Sequence, residues 1–163
     1  PLRANLPRLR RVMENTDIRQ IGEQIDIADG MEVSTHEILN LEKGVEVYEI
    51  DGPFFFGVAT KFDEMMRSMG DKPVVRILRM RKVPFVDSTA IHILEILIKS
   101  SQKEGIHVVL SGVRENVHHV LDKASIESLV GRDHICDHIT KAVEVANRIA
   151  RERAAALCAS PGL

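Results

Sequence analysis

The sequence predicts an α/β fold: a mainly parallel sheet of about four to five strands with an antiparallel edge hairpin, surrounded by about four helices. Three observations carry this. Short runs rich in β-branched residues alternate with apolar runs of helical period from Val45 onwards. Turn signals such as Asp51-Gly52-Pro53 separate them. The length of 163 residues, with 44% apolar and 28% charged residues, suits one ordinary domain that folds in water, with a little chain left over.

The elements follow in order. Pro1 to Arg11 holds Arg3, Arg8, Arg10 and Arg11, with no acidic residue before Glu14, and reads as a basic arm. Such an arm is either solvated or flanks a membrane on its cytoplasmic side, where Lys and Arg are retained and attracted to anionic lipid. Thr16 to Asn40 is polar and unperiodic and reads as a linker, with a possible capping box at Ser34-Thr35-His36-Glu37. Val45-Glu46-Val47-Tyr48-Glu49-Ile50 reads as a strand, expected to pair antiparallel with Phe54-Phe55-Phe56 across the Asp51-Gly52-Pro53 turn.

After Gly57, the residues Val58, Phe62, Met65, Met66 and Met69 recur at helical spacing, and Gly70 is a natural stop. Val74 to Met80 is a strand candidate, and Val86-Asp87-Ser88-Thr89 opens a helix whose one polar stripe is His92, Glu95 and Lys99, so that it packs on two sides. Ile106 to Leu110 is the next strand. Val113, Val117, Val120, Leu121 and Ala124 mark a further helix. After an irregular passage around Gly131, a last helix starts near Asp137 with Ile139, Ala142, Val143, Ala146, Ile149 and Ala150 on one face, fraying after Arg153 into a disordered tail.

Several function classes are disfavoured. A net charge of −2 gives no basic field for nucleic acid. The densest apolar run, Ile91 to Ile98, is interrupted by His92 and Glu95 and falls short of the roughly 18–20 residues of a bilayer span. Cys136 and Cys158 form no CxxC pair, which fits a reducing compartment. GxSxG, HExxH, GxGxxG and a phosphate loop ending in Lys-Ser or Lys-Thr are all missing, so catalysis is not expected and nucleotide binding has no motif behind it.

Asp87-Ser88-Thr89 is the most informative tripeptide, lying where a loop gives way to a helix. Capping by Asp87 or Ser88 accounts for it. A functional reading makes Ser88 a phosphoacceptor, with its phosphate favoured by the helix dipole and opposed by the Asp87 carboxylate. His134, Cys136 and His138 could share a direction and hold a metal transiently, but structural zinc sites normally take four protein ligands and no second cluster is offered, so no metal is expected and Cys136 reads as core. His118 and His119 are adjacent on a helix, diverge, and suggest no joint site. The aromatic cluster of Phe54, Phe55, Phe56 and Phe62 reads as core, with a partner-facing patch as the alternative.

The succession from Val45 to Gly57 resembles the opening of STAS domains in bacterial SulP transporters. Phe85-Val86-Asp87-Ser88-Thr89-Ala90 resembles the strand-to-helix motif of that superfamily, and Leu110-Ser111-Gly112-Val113 the next strand and its exit. The resemblance covers residues 42–155, and the Arg-rich start is similar to the segment leaving the last membrane helix of those transporters.

It implies a STAS or anti-sigma-factor-antagonist-like fold: a basic juxtamembrane arm and linker over residues 1–41, a STAS domain over 42–155 and a disordered tail over 156–163. It further implies a regulatory, protein-interacting domain of a sulfate-type anion transporter, with no cofactor, on the cytoplasmic face of the inner membrane. Its partners would be the transmembrane domain of the same chain and other cytoplasmic proteins. Some relatives bind nucleotides or acyl carrier protein. The alternative is a free-standing anti-sigma-factor antagonist phosphorylated at Ser88. Ala90 stands where those antagonists carry glycine, which favours the transporter branch.

Overall fold

The computed structural model describes residues 16–21, 24–26, 38–68 and 72–159. In chain order the elements are β1 (Asp17–Ile21), β2 (Gln24–Asp26), β3 (Ile38–Asn40), β4 (Val45–Asp51), α1 (Phe56–Ser68), β5 (Val75–Lys82), α2 (Ser88–Lys103), β6 (His107–Ser111), α3 (Glu115–Lys123), α4 (Ile126–Val130), β7 (Ile135–Cys136) and α5 (Ile139–Ala159). A five-stranded sheet has the order β1-β4-β5-β6-β7, and β2 and β3 form a separate antiparallel pair. The pairs β4-β5, β5-β6 and β6-β7 are parallel, and β1 runs antiparallel to β4.

Side-chain alternation divides the sheet residues between two cores. Tyr48, Ile50, Leu78, Met80, Val108 and Leu110 pack against Phe62 and Met66 of α1, Leu94 and Ile98 of α2, and Val117 and Leu121 of α3. Val45, Val47, Val75, Ile77 and Val109 point the other way, onto Ile139, Ala142, Val143 and Ala146 of α5. A sheet covered on both faces buries its central parallel strands completely, which is why they read as nearly continuous apolar runs. The expected inward faces of α2 and α5 are the observed ones, and His92 and Lys99 are exposed on α2.

The antiparallel edge exists, but its residues differ from the expected hairpin. β1 is the antiparallel partner of β4, with Asp17 opposite Asp51 and Ile21 opposite Val47. Phe54 instead forms an isolated parallel bridge with Val86. The cause lies at the turn. Gly52 adopts φ 129° and donates its N–H to the Lys82 carbonyl at 3.1 Å, so the chain leaves β4 towards its parallel neighbour instead of reversing. β1 falls within the span expected as linker. Asp17, Arg19 and Gln20 are exposed on it, and Ile18 packs on the core.

Two further corrections concern the carboxyl-terminal third. The passage around Gly131 holds α4 and the short edge strand β7, placed by pairing Leu110 with Ile135 and Ser111 with Cys136. α5 continues to Ala159, so residues 156–159 of the expected tail are helical. Ala154 to Leu157 are strong helix formers, and no breaker intervenes before Pro161. Met69, Gly70, the capping box at 34–37 and the residues after 159 lie outside the described residues. Among the described residues no helix is long and apolar enough to cross a membrane.

Candidate functional site

The surface around the start of α2 is assembled by the segment that leaves β4. Phe54 N–H donates to the Phe85 carbonyl at 3.0 Å, and Asp87 N–H donates to the Phe54 carbonyl at 3.2 Å. On the other side Asn116 Nδ2 donates to the Pro84 carbonyl at 2.7 Å, and Arg114 Nε donates to the Arg81 carbonyl at 3.1 Å. The loop between β5 and α2 is thus tied on both flanks and presents a fixed shape.

Asp87 is the N-cap of α2. Its Oδ1 accepts from Ala90 N–H and from Thr89 Oγ1, each at 2.7 Å. That satisfies one of the free amides of the first turn and pins the Thr89 hydroxyl. Ser88 and Thr89 are exposed, and Ala90 is fully buried beneath them. Asp87→Ala is expected to lower unfolding free energy by about 0.5–2 kcal/mol in urea titrations, with the Ala90 amide losing protection from hydrogen exchange; an unchanged midpoint contradicts the capping role.

The aromatic cluster divides between the two readings that the sequence left open. Phe54 and Phe62 are core as expected, but Phe56 is 52% exposed and Phe85 43% exposed. Phe55 is half-buried and meets Phe85 edge to face, with ring centroids 5.2 Å apart. Three consecutive phenylalanines cannot all point inward, and that was the available signal. The result is exposed apolar surface at the start of α1 and on the loop that leads into α2, with Phe85 three residues before Ser88.

The other expected residues are not brought together. His134 meets His107 edge to face at 6.1 Å. His138 Nδ1 accepts from Thr140 N–H at 3.1 Å near the start of α5. Cys136 is buried, burial pushes its thiol pKa up, and its Sγ lies 3.8 Å from the Asp133 carbonyl. Asp51 pairs with Lys82 at 3.7 Å. Arg3, Arg8, Arg10 and Arg11 lie outside the described residues.

The STAS domain family model matches residues 39–142. A sulfate transporter family protein from Wolinella succinogenes is 38% identical, with 68% of this chain and 91% of that one covered and a TM-score of 0.65. The SulP transporter STAS domain from Vibrio cholerae is 39% identical over 66% of this chain and 84% of that one, with a TM-score of 0.60. An anti-sigma factor antagonist from Thermotoga maritima, 20% identical over 66% of this chain and 91% of that one with a TM-score of 0.55, shares the fold alone. YvdB of Bacillus subtilis, which carries a sulfate-transporter name, is 26% identical over 107 residues, 64% of this chain. The chain spans 20% of that relative's length.

Proposed function

The chain belongs to the STAS domain family, and on that premise we propose that it is the regulatory, protein-interacting domain of a SulP-type anion permease, sulfate being the transported anion. It performs no chemistry of its own and works on the cytoplasmic face of the membrane through contacts with the permease's transmembrane part and other proteins. The identity of 38–39% to chains named as a sulfate transporter family protein and a SulP STAS domain supports the transporter branch. In this reading residues 1–41 carry the connection, with β1 added to the domain's sheet, and Arg3, Arg8, Arg10 and Arg11 flank the membrane.

The observation that carries the interaction role is the aromatic surface at the start of α2. Phe85, 43% exposed, lies three residues before Ser88 on a loop whose backbone is tied from both flanks, and Phe56, 52% exposed, opens α1 two residues after the Phe54 that bonds to that loop. Exposed phenyl groups held by ordered backbone are the kind of anchor that dominates protein contacts. Phe56→Ala with Phe85→Ala is expected to weaken binding of the purified domain to the permease's transmembrane part by about 2 kcal/mol or more, roughly 30-fold. Anion uptake by the parent permease, compared at equal membrane abundance, should change in parallel. Unaltered binding and uptake would remove this surface from the mechanism.

A second reading rests on the exposure of Ser88 at the first turn of α2. A phosphate there adds about two negative charges at the edge of the aromatic surface and switches partner contact without refolding the domain. That is how a free-standing antagonist would use the same fold. Kinase treatment followed by intact-mass analysis distinguishes the readings: one added phosphate that vanishes in Ser88→Ala supports the switch, and an unmodified Ser88 excludes it.

A further inference from the structure

We propose that His118, Asp122 and Glu127 form a binding site for a first-row divalent transition cation, represented by Zn²⁺, that fastens α3 to α4. This is separate from the interaction surface and does not depend on it. His118 and Asp122 are one helical turn apart on α3, so they share a face, and His118 Nδ1 lies 3.2 Å from Asp122 Oδ2. Glu127 comes from the next helix. It is carried there by a sharp turn at Ser125, which takes a left-handed φ of 60° and donates its N–H to the Asp122 carbonyl at 3.1 Å. One ligand atom from each of the three residues lies within 4.8 Å of the other two. Donors about 2.0–2.2 Å from one metal ion stand no more than about 4.4 Å apart, so the three groups would have to draw together by a few tenths of an ångström to hold an ion.

The charges also favour a cation at this point. A carboxylate oxygen of Asp122 and one of Glu127 lie within 4.8 Å of each other. Two carboxylates so placed repel unless a proton or a cation sits between them. Arg132 Nε takes Glu127 Oε1 at 2.9 Å and relieves part of that repulsion, but a carboxylate has a second oxygen to offer. Glu115, His118, His119, Asp122 and Asp137 line an adjoining open cavity of about 370 Å³, which leaves room for the waters that complete the shell of a three-residue site. The imidazole among the donors selects Zn²⁺ and its first-row neighbours over Mg²⁺ and Ca²⁺, which take oxygen ligands.

The test is isothermal titration of Zn²⁺ into the full 163-residue chain at neutral pH, with Mg²⁺ as competitor. One equivalent should bind and resist Mg²⁺. Its affinity should fall about 10–100-fold in Asp122→Asn and Glu127→Gln and by at least as much in His118→Ala, because removing a ligand costs no less than removing the partner of one. His134→Ala should leave it intact. All of these side chains are at least partly exposed, and circular dichroism verifies that each variant is folded. Imidazole nitrogen NMR of the unmodified chain gives the same answer without substitution, through a displaced His118 Nδ1 resonance at one equivalent of Zn²⁺. An unaltered His118 signal, an isotherm unchanged in His118→Ala, or displacement of Zn²⁺ by Mg²⁺ each overturns the assignment.

Discussion

Phe62→Ala is expected to destabilise the domain by about 3–5 kcal/mol, against a total stability of about 5–15 kcal/mol for a domain of this size. Phe62 has no exposed surface and sits in the core shared by α1, α2 and the sheet. Its ring meets Tyr48 edge to face, with centroids 5.8 Å apart and planes at 67°. Truncation removes the ring's burial and leaves a cavity in a close-packed core that collapses only partly into the empty space. Tyr48 loses its aromatic partner while its hydroxyl stays committed to Glu46 at 2.7 Å. Burial, together with the Glu46 hydrogen bond and charge, pushes the Tyr48 pKa well above the ordinary tyrosine range, so that hydroxyl remains a neutral donor. Urea titration measures the loss directly. Phe56→Ala, six positions earlier and largely exposed, is the internal control and should move stability by no more than about 0.5 kcal/mol. Equal losses from the two substitutions would contradict the packing.

The same contrast explains how much was legible in the sequence. β4, β5 and β6 announce themselves because both faces are covered, so Val45, Val47, Ile50, Ile77 and Leu78 leave an apolar signature that no neighbour is needed to interpret. α2 is equally plain, since Asp87 caps it and its buried side follows the helical period. β1 is not legible. Three of its residues face solvent, and it becomes a strand only because β4 offers an open edge some 30 residues further on. β7 has two residues and owes its existence to β6 in the same way. The Phe54 to Val86 bridge, which assembles the aromatic surface, is likewise a contact between distant segments. At the cation site the spacing of His118 and Asp122 was there to be read, but Glu127 joins them through a left-handed serine that no residue preference predicts.

Glu49→Ala is the second large effect, expected at about 1.5–3 kcal/mol, because it removes a buried carboxylate that accepts charge-assisted hydrogen bonds from Arg81 and Arg19. On β4 the alternation that places Val45 and Val47 towards one face brings Glu49 to that face too, at 2% exposure. Arg19 stands opposite it on β1 and Arg79 beside it on β5. Arg81 Nε donates to Glu49 Oε1 at 3.0 Å, Arg19 Nη2 to Oε2 at 3.2 Å, and Lys82 Nζ lies 3.7 Å from Oε1. Burial by itself raises the carboxyl pKa, but the Arg81 hydrogen bond and the charges of Arg81, Lys82 and Arg79 outweigh it and hold the group below the ordinary glutamate range.

The pH dependence follows from that direction. A carboxyl depressed in the folded state binds its proton more readily when unfolded, so its contribution is complete above the unfolded value of about 4.3 and is lost as pH falls through the lower folded value. The stability difference between the native chain and Glu49→Gln, followed by urea titration, should therefore be constant near neutrality and shrink below about pH 4. Arg19→Ala should cost no more than about 1 kcal/mol, because that side chain is 59% exposed and Arg81 still satisfies the carboxylate. A difference that grows on acidification would mean that Glu49 folds protonated, and the charge pairing that joins β1, β4 and β5 would have to be redrawn.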